Sequence, residues 1–114
     1  MMSDVIYKIV TEDLWLDAKG KGVFDGAGID LGDGYIHLST ATQARGTADK
    51  YFPGQTGLLL VAIDVDRLGD ALRWEPSRGG ELFPHLYAPL TFDAVLWEKP
   101  LTIGADGRHL FPEI

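Results

Sequence analysis

The run Leu58-Leu59-Leu60-Val61-Ala62-Ile63 has no polar side chain and ends after six residues. That is strand length, far below the ~20 residues needed to span a bilayer. A strand that is apolar at every position is covered on both faces, so this run predicts a central strand in the middle of the core. Other strands are expected at Val5-Ile6-Tyr7-Lys8-Ile9-Val10, Leu72-Arg73-Trp74-Glu75 stopped by Pro76, and Ala94-Val95-Leu96-Trp97-Glu98. Leu101-Thr102-Ile103 and His109-Leu110-Phe111 flank an Asp106-Gly107 turn and read as a terminal hairpin.

Two helices are expected in the N-terminal half. Thr11 caps the first, which carries Leu14, Trp15 and Ala18 and ends at Gly20 and Gly22. Thr40-Ala41-Thr42-Gln43 has the spacing of a capping box. The helix it opens places Ala41, Ala44, Ala48, Tyr51 and Phe52 at helical intervals and stops at Pro53-Gly54. Between these helices Phe24 to Asp33 holds three glycines and three aspartates and reads as an exposed loop, either a lid or a plain connection. Asp64 to Gly69 reads as a turn or short helical piece. With no repeat or linker, residues 1–114 form one α+β domain whose mixed twisted sheet follows two N-terminal helices.

Chemistry concentrates in Gly34-Tyr35-Ile36-His37-Leu38-Ser39-Thr40. Alternation puts Tyr35, His37 and Ser39 on one face of a strand and Ile36 and Leu38 on the other. A strand end that meets a helix start is a recurrent ligand site. The second candidate is Ser77 to Tyr87, where a glycine pair precedes Phe83-Pro84-His85-Leu86-Tyr87. The bland alternative for either histidine is a core-edge side chain bonded to the backbone. His109 looks peripheral.

Charge and composition remove several classes. Seventeen acidic and ten basic residues give a net charge of −7, which repels long nucleic acid and anionic membrane alike. No cysteine is present, so thiolate catalysis and a disulfide framework are excluded. There is no His-Glu-x-x-His or Gly-x-Ser-x-Gly spacing, and the two aspartates at 64 and 66 lack the rest of a calcium loop. No signal segment precedes Ser3-Asp4, so a cytoplasmic location is expected. Lys8, Arg45, Lys50 and Arg78 still offer local cations for a small phosphate.

The order Tyr35-Ile36-His37-Leu38-Ser39-Thr40, Thr47-Ala48-Asp49-Lys50-Tyr51-Phe52, an apolar strand, Trp74-Glu75 and Phe83-Pro84-His85-Leu86-Tyr87 resembles the domain-of-unknown-function 952 family over about residues 5–97, leaving 98–114 as a C-terminal hairpin or extension. That family is similar in outline to the ADP-ribosyltransferase fold and to the RNA 2′-phosphotransferases that cleave NAD. Ile36-His37-Leu38-Ser39 stands where those enzymes carry Val-His-Leu-Ser. Tyr7-Lys8-Ile9-Val10 stands at their Tyr-His-Gly-Thr, with Lys8 in place of the histidine. Glu75 and Glu81 lie in the stretch where a catalytic glutamate is expected.

The resemblance implies a transferase acting on NAD or a phosphorylated nucleotide. His37 would anchor a ribose or diphosphate and His85 would be the general acid or base. Lys8 and Arg78 would neutralise phosphate, Tyr87 would stack on a ring, and Tyr7 and Ser39 would complete the binding set. The alternatives are a non-catalytic module for a small phosphorylated metabolite in the same cleft, and a protein-interaction domain using Trp15, Trp74, Trp97 and the Phe83-Pro84-His85 segment.

Overall fold

The computed structural model describes residues 4–114, with the side chain of Arg78 outside the described residues. The elements are β1 (Val5–Thr11), α1 (Glu12–Lys21), β2 (Val23–Phe24), α2 (Ile29–Asp33), β3 (Ile36–His37), α3 (Ala41–Tyr51), β4 (Leu58–Asp64), β5 (Leu72–Pro76), β6 (Leu82–Leu86), β7 (Leu90–Thr91), β8 (Val95–Ile103) and β9 (His109–Leu110). Short 3-10 turns connect several of them. No helix among the described residues is long and apolar enough to cross a membrane.

The apolar run is indeed central: β4 lies between β1 and β8 in a four-stranded sheet of order β1-β4-β8-β9. Alternation sorts its side chains cleanly. Val61 and Ile63 join Ile6 and Val10 of β1 in one core, with Trp15, Phe24, Ile36 and Leu86. Leu58, Leu60 and Ala62 join Tyr7 and Ile9 in a second core on the opposite face, closed by Ala48 of α3. Trp15 is fully buried, packs edge-on against Phe92 at 5.1 Å, and donates its indole N–H to Glu98. That fastens α1 to the first core and removes Trp15 from any contact surface.

Three expectations are corrected. The sheet is not mixed, because every strand pairing among the described residues is antiparallel. Only β5–β6 and β8–β9 are hairpins of consecutive strands; the other pairs join strands distant in sequence, which return antiparallel over connections carrying helices or further strands. Nor do two N-terminal helices account for the chain: β1 comes first, and three helices occur among the described residues. The extra one, α2, lies inside the stretch read as an exposed loop. Its Asp30 is buried, and Gly26 has φ +120° with an added Cβ only 2.9 Å from that of Asp30. Gly26 serves close packing around this buried acid, while Gly28 and Gly32 are exposed, as the loop reading expects.

β6 is the middle strand of a second sheet of order β3-β6-β5. Pro84 accepts from the Leu38 N–H at 3.0 Å but has no N–H to return, and β3 ends there. The two sheets meet at one bridge, where Tyr7 and Ser39 exchange backbone hydrogen bonds of 2.7 and 2.9 Å. The terminal hairpin forms as expected, pairing Thr102 with Leu110 and Ile103 with His109. Phe111 and Ile114 pack on the second core, so the C-terminal extension shares it.

Leu60 is fully buried, whereas Leu96, beside the register shift between β4 and β8, is 50 % exposed. Leu60→Ala is therefore expected to lower unfolding free energy by about 2–5 kcal/mol, and Leu96→Ala by no more than about 0.5 kcal/mol. Urea denaturation of both variants checks this; equal effects would place the core elsewhere.

Candidate functional site

Beyond the Tyr7–Ser39 bridge β1 and β3 part, and a cavity of about 300 Å³ occupies the notch. Its walls come from β1, α1, α2, β3, α3 and β6, and the lining is mainly apolar, with Leu14, Ile29, Tyr51, Phe52 and Phe83 among its residues. Tyr7 turns its N–H and C=O toward Ser39. Antiparallel alternation then aims those of Ile9 the same way, away from β4 and into the notch. Neither Ile9 group has a partner among the described residues.

Lys8 lies on the face of β1 opposite Tyr7 and is only 8 % exposed. Its ammonium donates to Asp30 Oδ2 at 2.8 Å and to the His37 carbonyl at 3.0 Å. Asp30, 3 % exposed, also accepts the Ala27 and His37 N–H groups, each at 3.0 Å. Burial pushes the Lys8 ammonium below its ordinary range despite Asp30. Burial also raises the Asp30 carboxyl, but the Lys8 charge and three N–H donors outweigh it and hold Asp30 low. Lys8 is thus paired with an internal carboxylate while it lines the cavity.

His37 is held from both sides. Nδ1 lies 2.6 Å from Asp30 Oδ1 and Nε2 lies 3.0 Å from Asp33 Oδ2. It lines the cavity, but both ring nitrogens face carboxylates of α2.

His85 sits directly opposite His37 in the β3–β6 register and is 3 % exposed. Its Nδ1 bonds Glu75 Oε1 at 2.9 Å, and the Tyr87 hydroxyl donates to the same oxygen at 2.7 Å. These two hydrogen bonds hold the Glu75 carboxyl below its usual range, and the bond to Glu75 pushes Tyr87 up to about 12. Tyr35 stacks on His85 at 4.3 Å and 26°, and touches His37 and Tyr87 at 4.6 and 5.0 Å. Burial, then the charges of Asp33, Glu75 and Asp30, raise the Tyr35 hydroxyl.

The structure therefore gathers Tyr7, Lys8, His37, Ser39 and His85 around one cavity. Tyr87 is not on its lining; it borders a shallower depression beyond Tyr35. Ser77 lines the cavity, and the side chain of the following Arg78 lies outside the described residues. Glu81 is exposed and accepts from Gln43 Nε2 at 2.9 Å. His109 is buried, with Nε2 2.9 Å from the Gln55 carbonyl, and belongs to the C-terminal packing.

Asp30, Tyr35 and Thr47 were missed as site residues. Asp30 had a signal: a lysine amid the apolar positions of β1 requires a buried anion. No group of His, Cys, Asp and Glu able to hold a metal occurs among the described residues.

This fold and constellation place the chain by comparison. A family model described as "Protein of unknown function (DUF952)" matches residues 9–98, and the chain belongs to that family. It is similar to protein CC0527 from Caulobacter crescentus. In the crystal structure of CC0527 the identity is 48 % over 93 % of both chains, with a TM-score of 0.89. In the solution NMR structure it is 49 % over 91 % of this chain and 90 % of that one, with a TM-score of 0.82. No curated protein matches the chain.

Removing one member of a buried ion pair strands the other. Asp30→Asn is expected to cost about 3–5 kcal/mol in urea denaturation. Asp30 has a lowered folded-state pKa, so between that value and the unfolded one the unfolded chain binds more protons. Its stabilisation is then complete above the ordinary value of 3.8 and is lost as pH falls through the lowered one. A wild type and an Asp30→Asn variant that lose stability in parallel below pH 3.8 would show that Asp30 contributes nothing to the acid limb.

Proposed function

We propose that the notch between β1 and β3 is a small-molecule site and that this chain is a binding module for a compact, largely apolar metabolite. The observation that carries the reading is His85: a nearly buried imidazole, fixed through Nδ1 by Glu75, on the wall of a mostly apolar cavity. Apolar walls with a few placed polar groups are the usual composition of ligand sites. A volume of about 300 Å³ is at the low end of the roughly 300–1,000 Å³ such sites occupy. It suits a nucleotide fragment or similarly small body better than a whole dinucleotide.

A second reading keeps the transferase outline, with the notch as an ADP-ribosyltransferase-like cleft for NAD or a phosphorylated nucleotide. The Glu75–His85 pair supports it, since a carboxylate that holds Nδ1 leaves Nε2 to move a proton. The phosphate-binding role that the family resemblance implies for Arg78 belongs to this reading. Against it stand Lys8, spent on Asp30, and His37, held by two carboxylates. The binding reading is preferred for that reason.

Thermal-shift and NMR titrations of wild type and His85→Ala with nicotinamide, simple nucleotides, ADP-ribose and NAD test both readings. A fragment-sized ligand is expected to stabilise the wild type by about 2.7 kcal/mol at a hundredfold excess over Kd, an effect that His85→Ala removes. A flat response across the set would overturn the site. Conversion of the bound ligand on long incubation would replace the binding module with the transferase.

A further inference from the structure

We propose that this cavity selects a neutral ligand bearing an NH2 group, a primary carboxamide or an aromatic amine, which Ser39 and His85 receive as a pair of hydrogen-bond acceptors. The inference rests on the small-molecule reading above and specifies the polar head that the site takes.

The direction of each hydrogen bond follows from counting hydrogens. Thr47 has a single hydroxyl hydrogen and donates it to the Gln43 carbonyl at 3.1 Å. In the 2.9 Å contact between the Ser39 and Thr47 hydroxyls, Ser39 is therefore the donor. With its hydrogen spent, Ser39 Oγ turns only lone pairs to the cavity it lines. His85 is set in the same way. An ionised Glu75 accepts only, so Nδ1 carries the hydrogen of their 2.9 Å bond, and the ring in its neutral form keeps a lone pair on Nε2. Nε2 has no partner among the described residues, and no buried side-chain nitrogen or oxygen there is left sealed and unpaired. His85 lines the cavity, and in the proposed arrangement this lone pair turns toward it.

The two acceptors share a sheet face. His37 is opposite His85, and the Leu38 N–H reaches Pro84. Ser39 therefore lies diagonal to His85, a Cα separation of about 7–8 Å. Two acceptors converging from a diagonal pair match one nitrogen with two hydrogens. An ammonium would bring a third donor and a charge into a mainly apolar lining. Against Ser39 and His85 a carboxylate would set lone pairs on lone pairs, whatever the Ile9 N–H across the notch supplies.

The test is an NMR titration of the full chain at about pH 8, where free imidazole is neutral. The probes are cyclohexanecarboxamide, its N,N-dimethyl derivative and cyclohexanecarboxylate. The primary amide is expected to shift the resonances of Ser39, Phe83 and His85 and to bind about tenfold tighter than either other probe. Ser39→Ala and, independently, His85→Phe are each expected to reduce that preference to about threefold or less. The preference is a ratio within one variant, so loss of stability does not imitate the effect. Binding of the carboxylate or the dimethyl amide as tight as that of the primary amide would overturn the donor head and leave the small-molecule site standing. Silence of the cavity resonances toward all three would overturn both.

Discussion

The buried contact between Lys8 and Asp30 is the constraint around which the site is arranged. A charged lysine on an inward face of β1 is tolerable only with a counter-ion and further hydrogen bonds. Asp30 supplies both, and to do so α2 must close over that face. The same carboxylate takes the N–H groups of Ala27 and His37, so one residue fixes the approach to α2, the start of β3 and the tilt of the His37 ring. An element of five residues, α2 has little helical stability of its own; its place is set by this ion cluster.

The cavity follows from a mismatch between sheets. Tyr7 and Ser39 form one bridge and the strands then diverge, because Ser39 passes directly into the Thr40 capping box and α3. A helix start in this position ends ladder pairing and leaves the Ile9 edge open. Side chains from α1, α2 and α3 surround the gap without filling it. Its polar floor comes from His37 of β3, Ser39 at the bridge that follows it, and His85 of β6.

Much of this was legible because it is local. The all-apolar β4, the Thr11 cap of α1, the capping box of α3 and the terminal hairpin each depend on residues within a turn or two of one another. His37 and Ser39 share a face because side chains alternate along a strand, and both reach the cavity. The roles of Lys8 and His37 were not legible, since each depends on Asp30 more than six positions away. The Phe24–Asp33 segment was legible in part for a related reason: most of it is exposed, as its glycines and aspartates suggest, but the α2 turn and the burial of Asp30 depend on the lysine across the chain. The family resemblance identified at the sequence level is shown by the match over residues 9–98; the comparisons leave its further likeness to NAD-cleaving transferases untouched.

The amino-acid sequence by itself determined the central strand, the positions of α1 and α3, the α+β class and the exclusion of thiol chemistry, because periodicity, capping and composition act over short range. Tertiary structure alone decided that the pairing is antiparallel, that α2 exists, that Lys8 is neutralised, and that His85 meets Glu75 behind the cavity wall. Those outcomes rest on strand register and on the cost of burying charge, and both are set only when distant segments meet.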